Sequence, residues 1–291
     1  MDEREALTRL DELLPAAGDD GAVVDGLVVT TDMLHRSTDL PEGTTRYTAG
    51  WRSVGASLSD VAAMGADPVA AVAVYGAPTL DWAEIEAFVR GARDVCAAAG
   101  GEYVGGDLDQ HDEFTVATTA IGRTDDPVFR SGATAGDAVC VTGTLGRSGA
   151  ALRLFEAGET GRANELFRFR PRTAAGRALA GTATAMIDSS DGLARSVHQL
   201  AAASDCGFAL QSPLPIADVV EEVAGSEAER RELGCFFGED FELVCTVPPE
   251  SLSALGAELS VPLTRIGTVV DSGVTLDGEA FPDRGYTHGN E

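Results

Sequence analysis

The sequence predicts an α/β protein of two domains, and three observations support this fold class. Apolar runs of strand length alternate with helical patterns in both halves of the chain, which is typical of α/β folds. The 291 residues, 44% of them apolar, are enough for two domains of ordinary size. A polar, turn-rich segment at 123–137 separates the halves. We therefore expect an N-terminal domain over 1–130 and a C-terminal domain over 131–291.

The first half contains apolar runs that predict strands and small-residue segments that predict helices. Asp81 is a favourable N-cap for the second helix, and Gly100 ends it. The segment GGEYVGGDLDQHDEF, which begins at Gly100, is rich in glycine and aspartate and therefore indicates a turn-rich loop. The predicted strands cover 26–34, 69–77 and 114–122, and the predicted helices cover 48–68 and 81–100.

The second half shows the same alternation. Its first strand, AVCVTG (138–143), precedes a glycine-rich turn and a helix, and a basic loop within 168–181 leads into the next helix. TAMIDSS (184–190) contains a strand, and DGLARSVHQLAAASDCG (191–207) continues as a helix. The remaining predicted strands lie in GFALQSPLP, FFGEDFELVCTVPP, LTRIGTVV and GVTLDG.

The formal charge is −26, and all 21 basic residues are arginine. The chain lacks the basic surface that nucleic acid or an anionic membrane requires, so we expect neither as a partner. An acidic surface stays hydrated in concentrated salt, where screening weakens self-repulsion, and this indicates a halophilic host. The absence of lysine excludes P-loop, protein-kinase and pyridoxal-phosphate mechanisms. Phosphate would have to be bound by arginine, backbone N–H groups or metal ions.

The sequence also predicts a cytoplasmic location. No apolar run approaches the roughly 20 residues that span a bilayer. The acidic N-terminus lacks the basic and apolar regions of a signal peptide. The five cysteines show no CxxC spacing, which argues against a disulfide framework or a zinc site.

Aspartates recur at predicted strand ends and glycine turns. Hard cations such as Mg²⁺ prefer oxygen ligands, so clustered carboxylates of this kind predict a phosphate site with several Mg²⁺ ions. Asp60 lies in an apolar helical pattern, where a buried carboxylate needs a partner or a metal. The candidates are Asp19, Asp20, Asp32, Asp60, Asp107, Asp188 and Asp191.

Each of these aspartates alone also fits a simpler role. A single carboxylate in so acidic a chain can be solvated, Asp19 and Asp20 can form a turn, and Asp191 can cap the following helix. Arginines offer the complementary charge, since they can bind phosphate bidentately or form surface ion pairs. The candidate arginines are Arg130, Arg168, Arg170, Arg172 and Arg177. The residue types alone leave these alternatives open.

Taken in order, eight motifs carry a family resemblance: GDDGAVV, TTDML, SLSDVAAMGADP, VGGD, RSGATAGDAVCVTGTLG, PR, IDSSDGL and GEDFEL. The resemblance is to the thiamine-monophosphate kinase family, within the superfamily of aminoimidazole ribonucleotide synthetase. It implies direct transfer of the ATP γ-phosphate to thiamine monophosphate, assisted by several Mg²⁺ ions. It also implies a homodimer built on the N-terminal sheet, with ATP in a cleft between the two domains.

The same resemblance implies roles for individual residues. The implied catalytic residues are Asp20, Asp60 and Asp188. The implied metal ligands are Asp20, Thr30, Thr31, Asp32, Asp60, Asp107, Asp188 and Asp191. The implied ATP contacts are Gly106, Asp107, Arg130 and Ser190. The implied substrate contacts are Asp39, Glu239 and Tyr286.

Two departures from the family pattern concern the thiamine side. Asp39 stands where many members have a histidine, and the aromatic residue that covers thiamine is either Tyr286 or His288. Two alternative functions remain: another ATP-dependent enzyme of the superfamily, similar to aminoimidazole ribonucleotide synthetase, or a non-enzymatic acidic protein that binds divalent cations. Selenophosphate synthetase is disfavoured because no cysteine precedes Cys96.

Overall fold

The computed structural model describes residues 17–285 without interruption, together with residues 6, 9, 10, 13 and 14. The described residues form two sheets with helices packed on them, which confirms the predicted α/β class. The strands are β1 (Ala22–Val24), β2 (Leu27–His35), β3 (Asp67–Ala77), β4 (Glu102–Gln110), β5 (Thr115–Arg123), β6 (Ala138–Thr142), β7 (Ala185–Asp188), β8 (Gly207–Leu210), β9 (Leu243–Val247), β10 (Leu263–Val270), β11 (Val274–Leu276) and β12 (Glu279–Ala280).

The helices differ in length, and none in the described part of the chain combines the length and apolarity needed to span a membrane. A π-helical turn follows α9 at Glu232–Phe236, and a 3₁₀ turn precedes α10 at Pro249–Ser251. The α-helices are α1 (Arg36–Asp39), α2 (Arg46–Ala63), α3 (Trp82–Ala99), α4 (Arg147–Glu156), α5 (Thr160–Phe167), α6 (Thr173–Ala180), α7 (Leu193–Ser204), α8 (Asp218–Val223), α9 (Glu227–Arg231) and α10 (Leu252–Glu258).

The first sheet has the strand order β1-β2-β5-β3-β4. Successive side chains of a strand point to opposite faces. On β3, Ala73 and Tyr75 are therefore buried in the core, while Val72 and Val74 are exposed on the other side. Helices α2 and α3 contribute the other half of this core, with Val54 and Phe88 among its buried residues. The sheet thus has one covered face and one apolar outer face.

Two sequence predictions in this sheet have opposite outcomes. The predicted helix after Asp81 is confirmed, since Asp81 Oδ1 accepts from Ala83 N at 2.8 Å and Gly100 ends the helix with a φ of 93°. The predicted turn-rich loop is wrong over Glu102–Gln110, which forms edge strand β4 parallel to β3. Cross-strand pairing overrides the low strand propensity of glycine and aspartate.

The second sheet has the order β12-β11-β8-β10-β6-β9-β7. Helix α7 packs against one face and α6 against the other. The last turn of α2 also reaches this sheet, because Ala62 and Ala63 belong to the same buried cluster as Leu179 and Met186. Helix α2 therefore contacts both sheets. Phe167 of α5 packs in the core of the first sheet, and the boundary at 130/131 stays a prediction.

Candidate active site

Three carboxylates from separate elements converge at the junction of the two sheets. Asp20 lies in the bend before β1, Asp60 lies in α2, and Asp188 is the last residue of β7. Each offers one oxygen, and these oxygens all lie within 4.8 Å of one another. Oxygens at this separation can share one hard cation. We call Asp20, Asp60 and Asp188 the acidic cluster.

Two residues of β2 adjoin the acidic cluster from the covered face of the first sheet. Thr30 Oγ1 donates to Asp60 Oδ2 at 2.5 Å. Asp32 Oδ2 accepts from Ser57 Oγ of α2, also at 2.5 Å. Strand β2 and helix α2 therefore fix the acidic groups from both sides.

Two predicted metal ligands do not join the cluster within one chain. Thr31 is exposed and its hydroxyl donates to Thr118 O at 2.7 Å. Thr31 faces the opposite side of the sheet from Asp32, and its role as a metal ligand stays a prediction. Asp107 is exposed on β4, next to Gly106. The sheet runs from Asp32 on β2 to Thr118 on β5, then across β3 to Gly106 on β4, which is three strand spacings. Gly106 therefore lies roughly 14 Å across the sheet from Asp32.

Burial and mutual repulsion raise the pKa of the clustered carboxyls. Burial is the largest cause at Asp60, whose pKa lies well above its ordinary value, and repulsion from Asp32, Asp188 and Asp20 adds to it. Burial and then Asp20 raise the pKa of Asp188 from 3.8 to about 7. Asp188 Oδ2 is buried and has no hydrogen-bond partner among the described residues. These residues fit a divalent cation, which would supply the missing positive charge.

Arg130 lies beside the cluster and partly compensates it. Its Nη2 donates to Asp20 Oδ1 at 2.8 Å, and its backbone N donates to Asp19 Oδ2 at 3.1 Å. Burial, followed by the charge of Asp20, raises the pKa of Asp19 to about 6. A phosphate group at this place would compete with Asp20 for the guanidinium group.

The segment IDSSDGL connects the cluster to the rest of the second sheet. Ser190 N donates to Asp188 Oδ1 at 3.1 Å, and Ser190 O accepts from Glu239 N at 2.6 Å. The N-cap residue of α7 is Gly192, with a φ of 97°. The alternative role of Asp191 as that N-cap is therefore wrong, and Asp191 lies half-buried in the preceding turn.

A cavity of about 770 Å³ opens on the other side of Glu239. Both Asp39 and Glu239, the predicted substrate contacts, line it, and so does Gly285. Asp39 also accepts from His35 N at 2.6 Å, at the start of α1. Tyr286, the third predicted substrate contact, lies outside the described residues. The fold thus brings two of the predicted substrate residues to one cavity, although they are far apart in the chain.

Comparison with known proteins identifies the family. Residues 18–124 match the family AIR synthase related protein, N-terminal domain, and residues 134–278 match its C-terminal domain. A thiamine-monophosphate kinase of Halobacterium salinarum is 61% identical over 99% of this chain and 100% of its own length. One of Methanospirillum hungatei is 39% identical over 99% of both chains. The chain belongs to the thiamine-monophosphate kinase family.

Solved structures of the thiamine-monophosphate kinase family share the fold. AaThiL complexed with AMPPCP and TMP has a TM-score of 0.88 and 28% identity, covering 99% of this chain and 97% of its own. The thiamine-monophosphate kinase of Stenotrophomonas maltophilia has a TM-score of 0.82 and 32% identity, covering 94% and 95%. The resemblance seen in the motifs is therefore confirmed over nearly the whole chain.

The structure also adds residues that sequence reasoning missed. Phe167 lines the cavity, and the guanidinium carbon of Arg52 lies 3.5 Å from the centroid of its ring. Arg52 is only 1% exposed, although it is charged. The signal was present in the sequence, because Arg52 interrupts a helix of small residues, as Asp60 does eight positions later.

Proposed function

We propose that this chain transfers the γ-phosphate of ATP to thiamine monophosphate, giving thiamine diphosphate and ADP. A phosphate oxygen of the acceptor forms the new P–O bond as the bond between the γ-phosphorus and the β–γ bridging oxygen breaks. The observation that supports this most directly is the hydrogen-bonded connection between the acidic cluster and the cavity. Glu239 N bonds Ser190 O, and Ser190 N bonds Asp188, so a donor at the cluster would meet an acceptor in the cavity.

The residues of the site suit phosphoryl transfer, which needs positioning and charge neutralisation more than covalent help. Asp20, Asp60 and Asp188 would hold Mg²⁺, with Asp32 adjoining. The bound metal would neutralise negative charge on the phosphate oxygens. When ATP binds, the guanidinium group of Arg130 would bind a phosphate group in place of Asp20. The acceptor is already an oxyanion, so the site needs no strong general base.

The relatives favour this activity over the two alternatives. The curated relatives carry the name thiamine-monophosphate kinase, and AaThiL was solved with an ATP analogue and TMP. These comparisons give no comparable support to the two alternatives. These are a cyclisation by an aminoimidazole ribonucleotide synthetase-like enzyme and cation binding without turnover.

We also propose a homodimer formed through the outer face of the first sheet. That face exposes apolar side chains, and large exposed apolar surfaces mark interaction sites. They are Val29, Met33, Val69, Val72, Val74 and Val104. A second copy would cover them symmetrically. Gly106 and Asp107 on β4 would then serve the nucleotide site of the partner copy, and Asp191 remains a proposed metal ligand of its own chain.

The charge of −26 further supports an enzyme adapted to a salty cytoplasm. Screening by concentrated salt would weaken repulsion among its surface carboxylates. We therefore place the enzyme in the cytoplasm of a halophilic host.

A product assay tests the proposed reaction. The purified protein is mixed in high KCl with ATP, MgCl₂ and thiamine monophosphate, and the products are separated by chromatography. We expect thiamine diphosphate and ADP in equal amounts, and neither after EDTA is added. ADP formed only with formylglycinamidine ribonucleotide would favour the other superfamily enzyme. Cation binding by folded protein without any turnover would favour the binding protein.

A further inference from the structure

Arg52 is a buried cation directly behind the wall of the cavity. It lies on α2, is 1% exposed, and therefore does not reach a ligand in the cavity. We propose that Arg52 is a positioning residue that holds Glu239 and Phe167 in the cavity wall and thereby sets the affinity for the phosphate acceptor. This inference rests on the proposed function, because it assigns the cavity to that acceptor.

Arg52 binds both wall residues at the same time. Its Nη2 lies 3.1 Å from Glu239 Oε2. Its Nη1 donates to Phe167 O at 2.6 Å, and its guanidinium carbon lies over the Phe167 ring, 3.5 Å from the centroid. The stacked rings of Phe169 and Phe241, 4.0 Å apart, lie farther out around the same cation. One side chain thus connects two segments of the wall that belong to different parts of the chain.

The charges around Arg52 explain why a cation is stable there. Burial lowers the pKa of Arg52, and the negative charges of Glu239, Asp240 and Asp39 raise it. Burial in turn raises the pKa of Glu239, and the charge of Arg52 lowers it. A buried charge is costly unless it is paired, so removing Arg52 would leave Glu239 free to move or to take up a proton.

The backbone at Glu239 is held by residues other than Arg52, although Arg52 Nη1 also donates to Ser148 Oγ at 3.3 Å. Glu239 has a φ of 57°, a left-handed conformation that is strained for a non-glycine residue. Glu239 N donates to Ser190 O, and Ser148 Oγ donates to Glu239 O, both at 2.6 Å. Asp240 accepts from Ser148 N at 3.0 Å. Because these bonds hold the main chain, Arg52 acts chiefly on the orientation of the Glu239 carboxylate.

Helix α2 also carries Asp60 of the acidic cluster. The eight-residue separation of Arg52 and Asp60 corresponds to about 12 Å along a helix axis. One rigid element therefore sets the distance between the cavity wall and the cluster. A shift of the wall would change how the acceptor meets the phosphate donor.

Steady-state kinetics of Arg52→Met and Arg52→Lys tests this role, with Arg162→Met as the matched control. Arg162 is an exposed arginine paired with Glu222. In Arg52→Met we expect the KM for thiamine monophosphate to rise about 10- to 100-fold, as for loss of a charge-assisted bond. The KM for ATP should change less than about twofold. Lysine should restore part of the loss, since it keeps the charge without the stacked fork.

A double-mutant cycle keeps the inference testable if the methionine variant folds poorly. If Arg52 acts through Glu239, adding Arg52→Lys to the Glu239→Gln variant should change the KM for thiamine monophosphate little further. Full additivity would overturn the inference, as would a KM for thiamine monophosphate that is unchanged or rises equally with that for ATP. In these cases the wild type is still active, so the proposed function stands. An inactive, folded wild type would overturn both.

Discussion

The acidic cluster and the segment 239–242 both contain buried carboxylates, but the protein compensates them differently. In the cluster, Asp60 faces other carboxylates, and its pKa is raised by burial and by their charges. In the segment, Glu239 pairs with Arg52, and Glu242 accepts from Arg172 Nε at 2.6 Å. The cluster thus carries negative charge that a cation from solution would neutralise, whereas Glu239 and Glu242 are paired with arginines of the same chain. The difference indicates which half of the site binds ligand charge and which half provides fixed shape.

The largest expected effect is at the acidic cluster, where Asp60 faces other carboxylates. Asp60→Asn should reduce kcat by about 1000-fold or more, because it removes a proposed metal ligand at the reacting phosphate. Its unfolding free energy without Mg²⁺ should not fall, since the change also removes a repelled charge. Product assays and chemical denaturation measure the two quantities. Asp125→Asn, in an exposed turn, is the control, and equal activity of both variants would contradict the metal role.

In the segment 239–242, removing a charge should instead lower the free energy of unfolding. Glu242 is almost fully buried, so Arg172→Met would leave its carboxylate without its ion-pair partner. We expect a loss of about 3 kcal/mol in unfolding free energy, measured by denaturation in high KCl. The double change Arg172→Met with Glu242→Gln should recover much of this loss. If Asp60→Asn destabilises as strongly as Arg172→Met, the distinction between the two regions is wrong.

The raised pKa of Asp188 predicts how the cluster responds to pH. With a pKa of about 7 instead of 3.8, the metal-free carboxyl is protonated below neutrality, and protons compete with Mg²⁺. Apparent Mg²⁺ affinity should therefore rise with pH up to about 7 and level off above it. If binding displaces one proton, the apparent Mg²⁺ affinity changes about tenfold per pH unit below that pKa. Calorimetry across pH 5.5–8.5 measures this slope, and an unchanged slope in Asp188→Asn would refute the assignment.

The smallest expected change is a partial recovery of activity that depends on Asp107, which lies outside both regions in a single chain. Asp60→Asn and Asp107→Asn proteins should each be inactive alone. If Asp107 acts on the partner copy, mixed dimers contain one intact site, and random reassociation should restore about a quarter of wild-type activity. No recovery after confirmed subunit exchange would show that Asp107 does not act across a dimer.

Sequence reasoning was effective where chemistry and local context coincide. A carboxylate in an apolar helix singled out Asp60, and glycine turns at strand ends singled out Asp20 and Asp188; these three converge in space. The helix after Asp81 was predictable because both its ends carry local signals. Such features depend on neighbouring residues in the chain, which a single sequence displays.

The remaining features depend on contacts between distant segments. β4 forms because β3 offers it a pairing edge, although its own residues favour turns. The side of the sheet that Thr31 faces follows from strand register. The cavity wall unites residues from both halves of the chain, and the role of Arg52 becomes visible only when Glu239 is placed beside it. These placements are set by tertiary packing, which local pattern does not specify.

The most direct test is calorimetric titration of Mg²⁺ into the nucleotide-free protein at pH 7.5 in high KCl. We expect wild type and Glu239→Gln to bind the ion alike, and Asp188→Asn to lose most of that affinity while remaining folded by circular dichroism. Such a result would show that the uncompensated carboxylates, and not the paired ones, form the cation site. Equal binding by wild type and Asp188→Asn, or an equal loss in Glu239→Gln, would contradict it.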